Sequence, residues 1–130
     1  MIYLDSSALL KLLVEERESA ALADWISERS ATPKVSSELA KLEVVRAARR
    51  LDSRVVSPAR ALVAQLDLIP LTGSLIEEAA DAGDPALRSL DAIHLASALS
   101  IRDTLTAFVA YDRRLIAAAE TAGLAAVSPH

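Results

Sequence analysis

Four acidic residues of this sequence lie either at the end of a strand-like run or within a helical stretch. Asp5 ends a strand-like run near the N-terminus, Asp112 ends a second one, and Asp91 opens an apolar helical stretch. A fourth acid, Glu43, lies within another helical stretch. Ligands of open α/β sheets bind beyond the carboxyl ends of the strands, where gathered carboxylates repel one another unless a hard cation joins them. The pattern therefore predicts a Mg²⁺ site, with Mn²⁺ as the alternative, suited to phosphoryl chemistry.

Each of these acids also has a purely structural interpretation. Asp5 and Asp112 could cap the helices that follow them. Asp91 could lie in the first turn of a helix capped by Ser89, and Glu43 could pair with an arginine one turn later. The structural interpretation weakens when the acids are taken together. The helix of Asp91 is apolar on nearly every face, and a charge carried towards a core is costly unless it is paired or coordinated.

Short strands alternate with helices along the sequence, which predicts βαβ units and a mainly parallel sheet covered on both faces. A length of 130 residues fits one such α/β domain over 1–130. Gly123 is placed to end the helix before it. The predicted strands cover 2–5, 34–36, 68–71, 106–111 and 125–127. The predicted helices cover 7–14, 17–29, 37–52, 58–66, 73–82, 90–102 and 113–122.

The predicted helix 37–52 carries two stripes of side chains at helical spacing. The apolar stripe, which we expect to face the core, consists of Ala40, Val44, Ala47 and Leu51. The adjacent polar stripe consists of Glu43, Arg46 and Arg50. A helix of this kind would bring one acid and two cations to the same side.

Composition excludes several classes of protein. No apolar run approaches the ~18 residues of a membrane span, and the N-terminal run has no basic region of a signal peptide. The sequence has no cysteine, which excludes disulfides and thiolate sites and fits a cytoplasmic protein. The net charge of −4 argues against a nucleic-acid binder when taken alone. Bound metal would neutralise part of that charge, and several of the arginines are clustered.

Four segments occur in an order and at distances that are typical of one family of nucleases. They are YLDSSALLKLL, ELAKLEVVRAARR, LRSLDAIHLASAL and FVAYDRRLIAAA. Together they resemble the PIN-domain ribonucleases, and in particular the VapC toxins of bacterial type II toxin–antitoxin pairs. The resemblance covers essentially the whole chain. It implies a three-layer α/β/α sandwich of PIN type, with a short central sheet, and an endoribonuclease that depends on Mg²⁺ or Mn²⁺.

The resemblance also assigns the acids to the motifs of the family. Asp5 matches the first acidic ligand, and Glu43 matches the helical glutamate. Asp91 and Asp112 match the acids of the third and fourth motifs. Asp5 and Asp91 are the first choices as direct metal ligands, and the other two would complete the cluster directly or through water.

Three further positions follow from the resemblance. Ser7 matches a small hydroxyl residue, which would orient Asp5 or a metal-bound water. Ala110 stands where many relatives carry threonine, so that strand offers no hydroxyl. His94 matches a histidine of the family motif, and we favour a packed, hydrogen-bonded role for it over a metal-binding or catalytic one.

The implied reaction is in-line hydrolysis of RNA, and several arginines lie beside the acids. Arg46, Arg50 and Arg113 could hold phosphates, or they could belong to a solvated helix face with local ion pairs. The family implies two protein partners. One is a small antitoxin that blocks the site, and the other is a second copy of the chain in a homodimer.

Other functional classes fit the sequence less well or remain as alternatives. A non-catalytic α/β module could bind Mg²⁺ or a protein without cleaving anything, although a receiver-type site would need an acid pair beside the first strand. A haloacid-type phosphatase needs D-x-D where this sequence has Asp5, Ser6 and Ser7. A PIN ribonuclease of RNA processing, without an antitoxin, is the remaining alternative.

Overall fold

The computed structural model describes residues 1–130, and a five-stranded parallel sheet lies at its centre. The strands are β1 (Ile2–Leu4), β2 (Lys34–Ser37), β3 (Asp67–Ile69), β4 (Ala107–Val109) and β5 (Ala126–Val127). Their spatial order is β3-β2-β1-β4-β5, and every neighbouring pair is parallel. The prediction of an α/β sandwich around a short, mainly parallel sheet is confirmed, and the sheet is parallel throughout.

The helices that connect the strands cover both faces of the sheet. They are α1 (Ser6–Leu13), α2 (Ser19–Ser27), α3 (Glu38–Leu51), α4 (Val56–Ala64), α5 (Gly73–Asp81), α6 (Ser89–Ser100) and α7 (Arg113–Thr121), with a 3₁₀ turn over Ser53–Val55. Every predicted element is present, with ends within two residues of the prediction. None of the helices combines the length and the apolar character needed to cross a membrane.

Strand β1 lies in the middle of the sheet, and its side chains alternate between two separate apolar cores. Ile2 and Leu4 pack in a core with residues of α1, α2, α3 and α4. Tyr3 points to the other face and packs with α6 and α7, where its ring stacks on Phe108 at a centroid distance of 5.3 Å. Burial on both faces holds β1 rigidly, so Asp5, which follows it directly, leaves the sheet at a fixed place.

Several helix starts are capped at the carboxyl edge of the sheet, as local sequence predicts. Asp5 accepts a hydrogen bond from the backbone N–H of Ala8, and Asp112 accepts two from the first turn of α7. Both acids are therefore N-caps, as their structural interpretation predicted. The predicted Ser89 cap is wrong, because Ser89 is the first residue of α6, Arg88 precedes it, and no side chain caps this helix.

The predicted apolar stripe of α3 is wrong at its last position. Ala40, Val44 and Ala47 are buried, but Leu51 is 61 % exposed, and Ala48 is buried instead. The helix has 14 residues and is therefore about 21 Å long, whereas the strands beneath it are only three or four residues long. In its last turn Ala48 still packs in the core, whereas Leu51 lies on a face that no other element covers. Gly123 follows α7 with a φ of +88°, as predicted for the residue that ends a helix.

Candidate active site

Asp5 carries the most buried carboxylate of the region, with 4 % of the residue exposed. Its Oδ1 accepts hydrogen bonds from the backbone N–H of Ala8 at 2.9 Å and from Ser7 Oγ at 2.6 Å, while Oδ2 accepts none. Burial raises the pKa of Asp5, the two hydrogen bonds oppose that rise, and the negative charge of Asp91 adds to it. Burial is the largest of these causes.

Ser7 links Asp5 to the segment that follows β4. Its hydroxyl donates to Asp5 and accepts a hydrogen bond from the backbone N–H of Tyr111 at 3.2 Å. The backbone N–H of Asp5 also donates to the carbonyl of Val109 at 3.1 Å. These contacts fix the start of α1 against the end of β4, and they give Ser7 the contact with Asp5 that its expected orienting role requires.

Asp91 and Asp112 come together on opposite sides of one arginine. The Arg88 side chain places Nε 3.2 Å from the carboxylate of Asp91 and Nη2 3.3 Å from that of Asp112. The other oxygen of Asp112 accepts from the backbone N–H groups of Arg114 and Leu115, both at 3.0 Å. The guanidinium group of Arg88 therefore supplies a positive charge between these two acids.

Glu43 contacts residues of two other helices and not an arginine of its own helix. No ion pair joins it to Arg46, so the structural interpretation of Glu43 is wrong. Its Oε1 accepts hydrogen bonds from Ser6 Oγ at 2.5 Å and from His94 Nε2 at 2.8 Å. Burial alone would raise the pKa of Glu43, but the hydrogen bonds from His94 and Ser6 outweigh burial, and the pKa is lowered. Glu43 is therefore held in its charged form.

His94 is packed and hydrogen-bonded, as we favoured. Only 2 % of it is exposed, and its Nδ1 lies 2.7 Å from the hydroxyl of Tyr3. The same ring nitrogen that contacts Glu43 also lies 3.2 Å from Ser6 Oγ. Sequence reasoning missed Tyr3 and Ser6 as members of the site, and the only available signal was that Ser6 directly follows Asp5.

The contacts place the four acids in one region at the carboxyl edge of β1 and β4, divided among three hydrogen-bonded groups. Asp5 is held by Ser7, Glu43 by His94 and Ser6, and Asp91 and Asp112 by Arg88. As the side chains stand, no three Asp, Glu or His residues are arranged as ligands of one ion. Sequence reasoning also missed Arg88, although it lies three residues before Asp91.

The donor set nonetheless fits a hard divalent cation. All four groups offer carboxylate oxygens, the ligands that Mg²⁺ and Mn²⁺ prefer. The pKa of buried Asp5 is raised, so a cation beside it would offset the lost hydration of its charge. Arg88 shows that positive charge between Asp91 and Asp112 is accepted.

Exposed arginines lie on the same helices as two of the acids. Arg46, Arg49 and Arg50 on α3 line a cleft of about 250 Å³ with no other residue, and none of them forms an ion pair. Arg113, directly after Asp112, is exposed and also forms no ion pair. Ala110 is fully buried and offers no hydroxyl at its position. The region therefore combines an acidic centre with free cations beside it.

Comparison with known proteins identifies close relatives over the full length. A family model described as the PIN domain matches residues 2–126. Two proteins of Mycobacterium tuberculosis, ribonuclease VapC35 and ribonuclease VapC47, are 44 % and 42 % identical to this chain, in each case over 99 % of it and 97 % of the relative.

Solved structures with the same fold include two toxin structures. Mycobacterium tuberculosis VapC20, described as a sarcin–ricin loop cleaving toxin, superposes with a TM-score of 0.77 over 99 % of this chain and 100 % of that one. A toxin–antitoxin complex from Klebsiella pneumoniae superposes with a TM-score of 0.72 over 100 % of this chain and 98 % of that one. Both are 18 % identical to this chain, so they establish the likeness of the fold alone.

Proposed function

This chain is a PIN-domain protein of the VapC family, and from that premise we propose that it is an endoribonuclease acting as the toxin of a type II toxin–antitoxin pair. The observation that supports the proposal is that Asp5, Glu43, Asp91 and Asp112 lie in one region at the carboxyl edge of the two central strands. Relatives at 42–44 % identity that are named ribonucleases support the same activity here.

The four acids would hold Mg²⁺, or Mn²⁺, with Asp5 and Asp91 as direct ligands. When bound, such an ion supplies positive charge to the pentacoordinate transition state of phosphodiester hydrolysis and lowers the pKa of a water molecule. Glu43 or Asp112 would complete the cluster, directly or through water, and one of them would accept the proton of the attacking water. Ser7 would keep Asp5 in the orientation that the site needs.

RNA would be held chiefly through its phosphates. Arg46 and Arg50 lie on the helix of Glu43, Arg113 follows Asp112, and all three are exposed without ion pairs. Arginine suits bidentate contacts with phosphate. The aromatic side chains are already engaged or buried, since Trp25 carries an arginine over its ring at 4.1 Å and Tyr111 carries Lys11 at 4.7 Å. Recognition would therefore rest on backbone charge and RNA shape more than on base stacking.

An antitoxin would act by occupying this region. A cleft of about 560 Å³ between α5 and α6 is lined mainly by apolar side chains, among them Ile76, Leu87 and Ile93. The cleft adjoins the turn that carries Asp91, and Leu90 beside it is 48 % exposed. A partner segment that orders on this cleft would bring a basic side chain to Asp91 and Asp112, in the place that Arg88 now takes. A homodimer and a cytoplasmic location stay predictions.

The proposal is tested by assaying purified protein on RNA with and without Mg²⁺. We expect cleavage with the metal, no cleavage after its removal by a chelator, and none with Asp91→Asn. Sequencing the 5′ ends of cellular RNA after induced expression would then identify the target. A protein that binds Mg²⁺ but cleaves nothing, with growth unaffected by its expression, would favour the non-catalytic module.

The antitoxin part is tested separately by co-expression with the product of an adjacent small reading frame. We expect a stable complex that does not cleave RNA. A complex that cleaves as fast as the free protein would contradict occlusion of the site. A chain that cleaves RNA but forms no complex would be the antitoxin-free nuclease.

A further inference from the structure

A chain of hydrogen bonds runs from the core of the protein to Glu43 and ends there. The hydroxyl of Tyr3 on β1 lies 2.7 Å from His94 Nδ1, and His94 Nε2 on α6 lies 2.8 Å from Glu43 Oε1 on α3. Tyr3 and His94 are 0 % and 2 % exposed. Three elements of the fold therefore meet through polar contacts.

The partners of His94 decide where its protons lie. A charged carboxylate can only accept, so Nε2 must carry the proton that faces Glu43. The phenol of Tyr3 carries its proton at neutral pH and can donate it to Nδ1. In the neutral ring, Nδ1 then accepts from the Tyr3 hydroxyl. Glu43 and Tyr3 thus favour the same tautomer from opposite sides of the ring, a role that outer hydrogen-bond partners of ligand residues commonly have.

Both donors to Glu43 act on the same oxygen. Oε1 accepts from His94 and from Ser6, whereas Oε2 accepts no hydrogen bond. An oxygen held by two donors fixes the carboxylate, because rotation about its last torsion would break both contacts. The second oxygen stays available to a cation or a water molecule.

Stabilisation of the core alone does not explain this arrangement. Buried polar side chains cost free energy unless they are satisfied, and apolar side chains of similar volume usually serve stability as well or better. The contacts of Tyr3 and His94 are directed at Glu43.

We propose that Tyr3, His94 and Ser6 are positioning residues, which hold Glu43 by one oxygen and present the other to the metal or the attacking water. This inference rests on the proposed function, because it assigns a role towards the same acidic site. None of the three residues touches the reacting atoms. Their effect on the reaction passes through Glu43 alone.

The test compares variants that remove or keep the donor. His94→Leu removes it, whereas His94→Gln keeps an N–H near the position of Nε2. Tyr3→Phe removes the hydroxyl that contacts Nδ1 and keeps the ring that stacks on Phe108. Ser100→Ala is the control, since Ser100 lies on the same helix and its hydroxyl donates only to the backbone carbonyl of Ser97.

Three measurements separate positioning from a structural role. The first is ¹⁵N–¹H NMR of the His94 ring in metal-free protein, where we expect the proton on Nε2 in the wild type and a larger fraction of the Nδ1-protonated tautomer in Tyr3→Phe. The second is calorimetric titration with Mn²⁺, where we expect His94→Leu to bind more weakly. The third is RNA cleavage, where we expect kcat to fall by about 10- to 100-fold in His94→Leu with KM unchanged, and His94→Gln to recover most of it.

A double-mutant cycle with Glu43→Gln tests whether the effect of His94 on the reaction passes through Glu43. Once Glu43 is altered, His94→Leu should cost no further activity or Mn²⁺ affinity. The inference is overturned if His94→Leu lowers only the melting temperature, if His94→Gln fails to recover activity while folded, or if the cycle is additive. If His94→Leu does not fold, Tyr3→Phe and His94→Gln decide the question by the same measurements. If the wild type cleaves no RNA, the proposed function fails, and the NMR and Mn²⁺ data still judge the positioning of Glu43.

Discussion

Asp91 and Asp112 share one counter-ion, the guanidinium of Arg88, which lies 3.2 Å from the first carboxylate and 3.3 Å from the second. The Arg88 side chain is 69 % exposed, and exposed ion pairs contribute only about 0–1 kcal/mol. A divalent cation between the same acids would therefore meet a weak competitor. We propose that Arg88 is an internal cation that would give way to a metal.

Replacement of Arg88 by glutamine should make metal binding easier. Because the guanidinium no longer competes, we expect the Mg²⁺ concentration for half-maximal cleavage to fall by up to about fivefold, the equivalent of ~1 kcal/mol. A titration of RNA cleavage with Mg²⁺ measures the midpoint. Arg102→Gln, which removes an equal charge near the opposite edge of the sheet, should leave the midpoint where it is. A higher midpoint in Arg88→Gln would show that Arg88 assists metal binding.

Asp5→Asn should abolish cleavage and change how stability depends on pH. Burial raises the folded-state pKa of Asp5 above its ordinary value of 3.8, so the protonated acid is favoured in the fold. Its stabilising contribution is present below pH 3.8 and is lost as pH rises through the raised pKa. Asparagine still caps α1 and carries no charge, so the variant should gain stability relative to the wild type as pH rises.

Urea denaturation of both proteins in metal-free buffer, from acid to neutral pH, measures this difference. The exposed Asp103→Asn is the matched control and should follow the wild type at every pH. A difference in the free energy of unfolding between Asp5→Asn and the wild type that does not grow with pH would contradict the effect of burial. Added Mg²⁺ should stabilise the wild type and leave Asp5→Asn unaffected.

Ser7→Ala should weaken both the site and the fold. The change removes the donor to Asp5 and the acceptor for the backbone N–H of Tyr111. We expect cleavage to slow by about 10- to 100-fold and the free energy of unfolding to fall by about 1–3 kcal/mol. Ser7→Thr keeps a hydroxyl and should retain most activity. Ser27→Ala, on α2, loses one exposed hydrogen bond and serves as the control; equal activity in Ser7→Ala and Ser27→Ala would remove Ser7 from the site.

Arg46→Gln combined with Arg50→Gln should weaken RNA binding without changing the metal site. Each lost phosphate contact should reduce the slope of log affinity against log salt by about 0.7–1. Binding of a single-stranded RNA to the uncleaving Asp91→Asn protein, measured over a range of salt concentrations, gives the slope. An unchanged slope, matching that of Arg102→Gln in the same background, would place the RNA elsewhere.

Local chemistry explains which features the sequence predicted well. Asp5 and Asp112 are caps because an acid that follows a strand and precedes a helix has backbone N–H groups within reach. The alternation of strands and helices likewise predicted the sheet. Leu51 was misplaced because periodicity indicates the face of a helix but not which positions on that face another element covers.

Long-range contacts were beyond prediction. Sequence suggested an arginine one turn away as the partner of Glu43, whereas the structure supplies His94, 51 positions later. Arg88 reaches Asp112, 24 positions later, through a loop conformation that no local pattern encodes. Residue types located the acids, but the contacts of α6 with α3 and β1 determine that His94 holds Glu43.

The central place of β1 also governs when the molecule can become active during its synthesis. β1 is made long before one of its two neighbours in the sheet, β4, whose register pairs Ile2 with Ala107. Pairing across such a separation is slow and requires the residues between the two strands. An unfinished chain on the ribosome carries Asp5 and Glu43 but lacks Asp91 and Asp112. The acidic site of a nuclease built this way cannot be complete before Asp112 has been translated.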